Sequence, residues 1–154
     1  MKKSVQFSSL DGSSLTIGIV KARWNSEYTD ALSEQCLQAL ADAGVARERI
    51  ILITVPGSFE LVYGAKRLIE TRAPDAVICV GALVKGETAH FDYLAGAVSQ
   101  GIMRLNAEGS TPVIFGVLTC LNSAQAHERS LGSKSSAYDW GLSAVEMGLL
   151  RKTL

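Results

Sequence analysis

The densest run of reactive side chains is Gly86-Glu87-Thr88-Ala89-His90-Phe91-Asp92-Tyr93. Gly86 permits close backbone approach, Thr88 offers a hydroxyl, and a helix starting here would aim its free amides at an anion. His90, one of two histidines, follows two residues later, and histidine is the side chain best suited to moving protons near neutrality. With Gly81 upstream, the run imitates a nucleotide phosphate loop, where two glycines with four residues between them precede a lysine and then a serine or threonine. Glu87 stands where that lysine must be, so the nucleoside-triphosphate reading fails on charge. A phosphate site of another kind remains, with a proton carrier at its edge.

Three further segments carry unusual residues. Lys21-Ala22-Arg23-Trp24-Asn25 sets a large flat ring, on which a planar heterocycle could stack, ahead of a helix. The alternative is a tryptophan packed on the core, with Asn25 or Ser26 capping that helix. Val55-Pro56-Gly57-Ser58-Phe59-Glu60 is a sharp turn into a helix whose first amides are free for ligand oxygens, and Glu60 could accept hydroxyl hydrogen bonds. A first-turn carboxylate is also favoured by the helix dipole alone. Thr119-Cys120-Leu121-Asn122 leads to Gln125-Ala126-His127-Glu128-Arg129, where Arg129 could grip a phosphate through its planar fork of donors. His127 points to a different helix face from Arg129 and reads as a surface residue.

These segments share a position in the chain's rhythm. Four β-branched apolar runs, at residues 15–22, 50–55, 76–81 and 113–119, are each followed by apolar residues at helical spacing. The helices expected are 26–43, 58–72, 91–106, 123–131 and a last one starting at Asp139, read as its N-cap, with Leu142, Val145, Met147 and Leu149 as its apolar stripe. Gly44 reads as the left-handed cap of the first helix and Pro74 as the stop of the second. Such alternation predicts an α/β fold, a three-layer α/β/α sandwich around a four-stranded parallel sheet. Ligands of such sheets sit outside the carboxyl ends of the strands, where every candidate segment falls. Only residues 12–14 and 131–137 read as loops, so residues 1–154 are expected to form one domain.

Composition narrows the partners. The chain has 154 residues, 47% hydrophobic and 19% charged, enough to bury roughly 70% of its unfolded surface. Fifteen Lys plus Arg against fifteen Asp plus Glu leave no net charge, so no basic field draws nucleic acid or an anionic membrane. Met1-Lys2-Lys3 is followed by mostly polar residues rather than a signal-peptide core. The longest apolar run, residues 76–84, falls far short of the roughly 20 residues that span a bilayer. A cytoplasmic protein is the expectation. Cys36, Cys79 and Cys120 are odd in number, widely spaced and set in apolar patterns, which fits reduced core thiols rather than a disulfide frame or zinc site.

Taken together, Ala22-Arg23-Trp24-Asn25, Val55-Pro56-Gly57-Ser58-Phe59-Glu60-Leu61, residues 81–93, Phe115-Gly116-Val117-Leu118-Thr119 and Ala144-Val145-Glu146-Met147 resemble the lumazine synthases in order and spacing. The likeness spans almost the whole chain. It implies a flavodoxin-like sandwich and a step of riboflavin biosynthesis: condensation of 5-amino-6-(D-ribitylamino)uracil with 3,4-dihydroxy-2-butanone 4-phosphate to 6,7-dimethyl-8-ribityllumazine, phosphate and water. It implies small-molecule substrates, no metal and no organic cofactor. By the same resemblance Trp24 stacks on the pyrimidine with Asn25 beside it, Ser58, Phe59 and Glu60 hold the ribityl chain and nearby ring atoms, and Ala82, Leu83 and Val84 line the pocket. Gly86, Glu87 and Thr88 bind phosphate together with Arg129, and His90 and Arg129 are the catalytic pair. Phe115 matches a residue that a neighbouring subunit lends to the pocket. The family's pocket lies between subunits, which implies a homo-oligomer built on pentamers, leaves pentamer and icosahedral capsid both open, and admits riboflavin synthase as a partner. Trp24 replaces the phenylalanine that many members carry, enlarging the stacking surface. Two rival readings are a flavin or lumazine carrier without turnover and a receiver-type signalling domain. The receiver needs clustered acidic residues where this chain has Lys21 and Arg23.

Overall fold

The four β-branched runs become strands β1 (Ile17–Ala22), β2 (Ile50–Val55), β3 (Ala76–Val84) and β4 (Val113–Cys120), paired in parallel in the order β2-β1-β3-β4. The computed structural model describes residues 4–154, so the reading of Met1, Lys2 and Lys3 concerns positions outside the described residues. Between the strands lie α1 (Ser26–Asp42), α2 (Leu61–Arg72), α3 (His90–Glu108), α4 (Ser123–Ser130) and α5 (Ala137–Thr153), with short 3-10 turns at Arg47–Arg49 and Ser58–Glu60. The expected α/β/α sandwich is the observed architecture.

Period-two alternation sorts the strand side chains between two layers. Ile17, Ile19, Ile78, Val80, Ala82, Leu118 and Cys120 pack with Leu32, Cys36 and Leu40 of α1, Ala126 of α4, and Ala144 and Val145 of α5. Val20, Ala22, Val77, Cys79, Val113 and Val117 pack with Leu61, Ala65 and Leu68 of α2 and with Val98 and Ile102 of α3. With α1 and α2 on opposite layers, the chain reverses its winding between β1 and β3, and that switch point opens a crevice at the strands' carboxyl ends. Gly44 takes φ +87 after α1. Val45 N–H bonds to Leu40 O and Gly44 N–H to Ala41 O, the paired closure that a left-handed glycine permits.

Several boundaries differ from expectation, each for a local reason. β1 starts at Ile17, because the Thr16 amide bonds to the Asp75 carboxylate (2.8 Å). β3 does not stop at Gly81 but runs to Val84. Glycine there serves close packing, since a Cβ would lie 2.5 Å from Ser58 Oγ. The second helical segment divides into the 3-10 turn at Ser58–Glu60 and α2, while α3 gains His90 at its start. α5 begins at Ala137, so Asp139 lies in its first turn and is not its N-cap. Ala137 is fully buried, and its carbonyl accepts from the Cys36 thiol, so packing pulls the helix start back. The buried stripe of α5 is Ala137, Gly141, Ala144, Val145 and Gly148; Leu142, Met147 and Leu149 are only half-buried.

Cys36, Cys79 and Cys120 are free and buried, as expected of core thiols. Burial pushes the Cys36 and Cys79 thiols up to about 12 and raises that of Cys120. No described helix is long and apolar enough to cross a membrane.

Candidate functional site

The chain leaves β1 through a corner in which Asn25 adopts φ 62, ψ 44, a left-handed conformation that asparagine tolerates better than most residues. Arg23 N–H donates to Val55 O (2.8 Å) and Trp24 N–H to Pro56 O (2.9 Å), so the corner stays tied to the end of β2. The indole of Trp24 is 76% exposed, which rules out the core-packed alternative. Asn25 occupies the N-cap position of α1, but its side chain makes no capping bond. Instead Nδ2 donates to Ala82 O (2.8 Å) on β3.

The turn after β2 is braced by its own carboxylate. Glu60 Oε2 accepts from Gly57 N–H (3.1 Å). Ser58 is buried against Gly81, while Phe59 stands 63% exposed. After β3, Lys85 N–H continues the pairing with β4 by donating to Cys120 O (2.8 Å), and Lys85 Nζ lies 3.8 Å from Asp92 Oδ1. Thr88 Oγ1 accepts from His90 N–H (3.3 Å) at the start of α3. A Cβ on Gly86 would meet nothing within 4 Å, so no packing within the chain demands that glycine.

These strand ends enclose a cleft of about 640 Å³. Its lining contains Trp24 and Asn25 from the first corner, Ser58, Phe59 and Glu60 from the second, and Ala82, Leu83 and Val84 from β3. Gly86, Thr88 and His90, from the segment after β3 and the start of α3, line it too. Glu87, Phe115 and Arg129 do not line it. Phe115 sits on β4 between Val113 and Val117, on the α3 side, and is 42% exposed. Arg129 is exposed on α4 and pairs with no carboxylate among the described residues, although its charge is felt at the Cys120 thiol. His127 is exposed, as expected. α4 is capped by Asn122, whose Oδ1 accepts from Gln125 N–H (2.9 Å).

Sequence reasoning missed Gly57, Phe91 and Leu94 as lining residues. Gly57 and Phe91 stood inside quoted motifs, and Leu94 lies one helical turn beyond His90, a spacing that puts both on one helix face. The cleft is mostly apolar, with a flat ring, a carboxylate oxygen, a hydroxyl and an imidazole at its margins. It can stack a planar molecule, hold hydroxyl groups and move a proton. Among the described residues, no cluster of three or more His, Cys, Asp or Glu could hold a metal ion.

A doubly wound sheet with such a cleft at its switch point defines an α/β protein that handles small molecules. Residues 14–152 match the profile of the 6,7-dimethyl-8-ribityllumazine synthases. The chain belongs to that family. It is 42% identical over 136 residues to the 6,7-dimethyl-8-ribityllumazine synthase of Flavobacterium psychrophilum, covering 88% of this chain and 72% of the relative. It is 48% identical over 122 residues to the enzyme of the same name from Parabacteroides distasonis, covering 79% and 76%. A third such relative, from the fungus Pyricularia oryzae, is 38% identical over 181 aligned residues, covering 92% and 90%.

Proposed function

We propose that this protein is an enzyme of riboflavin biosynthesis that condenses 5-amino-6-(D-ribitylamino)uracil with 3,4-dihydroxy-2-butanone 4-phosphate, giving 6,7-dimethyl-8-ribityllumazine, phosphate and water. The observation that carries this reading, beside family membership, is the meeting of Trp24, the Ser58–Glu60 turn and His90 around one cleft.

In this reading Trp24 stacks on the pyrimidine, and Ser58, Phe59 and Glu60 hold the ribityl chain. One Glu60 oxygen braces the turn, which leaves the other for a substrate hydroxyl. Leu83 and Val84 supply an apolar wall. The substrate amine attacks the ketone, a first water leaves as an imine forms, phosphate is expelled, and the second nitrogen closes the ring on the new carbonyl with loss of a second water. Each step moves a proton, and His90 in the cleft lining serves as carrier. The substrate brings its own nucleophile, so holding two reactants edge to edge supplies much of the acceleration. Gly86, Glu87, Thr88 and Arg129 receive the phosphate, and Arg129 stabilises its departure.

Glu87, Phe115 and Arg129 stand outside the lone chain's cleft, which supports a site completed between subunits of a pentamer. The sparse burial of α3 supports the same reading. Light scattering should then give five copies or a multiple of five.

Mixing both substrates and following lumazine absorbance with phosphate release tests the assignment. Turnover well above the spontaneous rate is expected; its absence, with tight riboflavin binding, would favour a carrier. Arg129→Ala should raise the KM for the phosphate substrate and lower kcat/KM on the order of 100-fold, the scale of losing a charge-stabilising donor. Wild-type kinetics in that variant would sink the phosphate assignment. His90→Ala should slow turnover about tenfold, below the common range for losing an acid–base group, because the substrates are themselves reactive.

A further inference from the structure

An exposed ring takes its direction from the backbone beneath it. Trp24 has few packed neighbours to fix it, so the corner that carries it must do so. On one side, the bonds from Arg23 and Trp24 to Val55 and Pro56 hold that corner to the β2 end. On the other side, backbone pairing of β1 with β3 ends at Lys21 and Val80. Beyond that point the Asn25 side chain takes over, with Nδ2 donating to Ala82 O across the switch point.

Two features indicate that this bridge is what the residue is built for. Its backbone sits in the left-handed region, which β-carbon sterics deny to most side chains. Its side chain also forgoes the cap that asparagine commonly supplies at a helix start. Here the Asn25 carbonyl accepts from the Tyr28 and Thr29 amides, and the side chain is left for Ala82. The Thr29 hydroxyl adds a second tether to Ala22 O (2.8 Å), so α1 begins against the end of β1.

We infer that Asn25 is a positioning residue, whose bridge to Ala82 holds the left-handed corner so that the Trp24 ring forms a fixed wall of the cleft facing the end of β3. It acts through Trp24 instead of by touching substrate, which revises its expected place among the pyrimidine and ribityl contacts. The inference rests on the reading of this cleft as the place where a flat substrate stacks.

The test uses the full chain carrying Trp140→Phe, which leaves Trp24 as the sole tryptophan. Asn25→Gly keeps the left-handed backbone accessible and removes the bridge; Asn25→Asp keeps the shape and removes the donor. In substrate-free protein both should lower the fluorescence anisotropy of Trp24. Both should also raise the KM for the pyrimidine substrate about fivefold, the factor of one ordinary hydrogen bond, with kcat and the KM for the phosphate substrate within about twofold. Unchanged anisotropy overturns the inference, and a KM effect without it makes Asn25 a direct substrate contact. Lowered anisotropy with an unchanged pyrimidine KM also overturns it, since ring placement would then not serve binding. If Trp140→Phe impairs folding, fluorine NMR of fluorotryptophan at both positions gives the same readout on the Trp24 line. The anisotropy needs no substrate, so absence of turnover would count against the assigned reaction while leaving the bridge measurable.

Discussion

On one layer of the sheet α5 approaches α1 so closely that a Cβ on Gly141 would meet Ala39 Cβ at 2.6 Å and Cys36 O at 2.8 Å. On the other layer α3 runs for 19 residues and buries only Val98 and Ile102. Tyr93 and Met103 of α3 stand 79% and 65% exposed, and Phe115 of β4, on the same layer, is also exposed. The first layer is closed by small residues that let helices touch; the second keeps large apolar and aromatic side chains facing outward. A single chain thus completes one half of its sandwich and leaves the other half with surface of the kind that associating copies cover.

The contrast can be broken most directly by cavity formation on the closed layer. Ile78→Ala should lower the unfolding free energy by about 3 kcal/mol, the range for emptying a packed core site. In urea titrations that loss should appear at every protein concentration. Tyr93→Ala on the open layer should change the dilute chain by less than about 0.5 kcal/mol, and its effect should grow with concentration as copies associate. A Tyr93→Ala effect independent of concentration would erase the distinction between the layers.

A smaller effect sharpens it at the edge of the site. Asn122→Ala removes the cap of α4 and should cost about 1 kcal/mol by thermal unfolding. Fraying of α4 would loosen Arg129, so the KM for the phosphate substrate should rise while that for the pyrimidine stays put. The smallest effect compares two thiols, Cys36 in the closed layer and Cys79 in the open one. Both are pushed up to about 12 by burial, so neither should be alkylated in the folded protein near neutral pH, and both should react after unfolding. Their raised values mean that their contribution to stability is full below the ordinary thiol value of 9.0 and is lost as pH climbs towards about 12, because the unfolded thiols ionise first. Faster labelling of Cys79 than of Cys36 would indicate that the open layer breathes more.

Most of this architecture was legible in the sequence because β-branched runs and helical spacing are local signals. Where reading failed, tertiary contact had overruled a local cue. Gly81 looked like a strand end, yet its bare α-carbon makes room for Ser58 and the strand continues. Asp139 looked like a cap, yet burial of Ala137 starts the helix earlier. Asn25 could be read as a cap, yet from its left-handed corner its side-chain amide reaches Ala82 instead. Trp24, the Ser58–Glu60 turn, Thr88 and His90 followed from strand ends alone, since topology gathers those ends at one edge, whereas Ala82, Leu83 and Val84 came through resemblance. Arg129 was singled out by its place after the fourth strand, while the phosphate role of Glu87 and any role for Phe115 came only through resemblance; geometry within one chain brings none of the three into the cleft.

The hydrogen bonds that run past the sheet have a kinetic consequence. Arg23 and Trp24 bond to Val55 and Pro56, Asn25 to Ala82, and Lys85 to Cys120, so all four strand ends are knitted to their neighbours before any ligand arrives. A molecule entering the cleft meets backbone that is already ordered and forfeits little loop entropy on binding. Its capture rate should therefore be governed by diffusion and orientation, with no slow closing step to wait for.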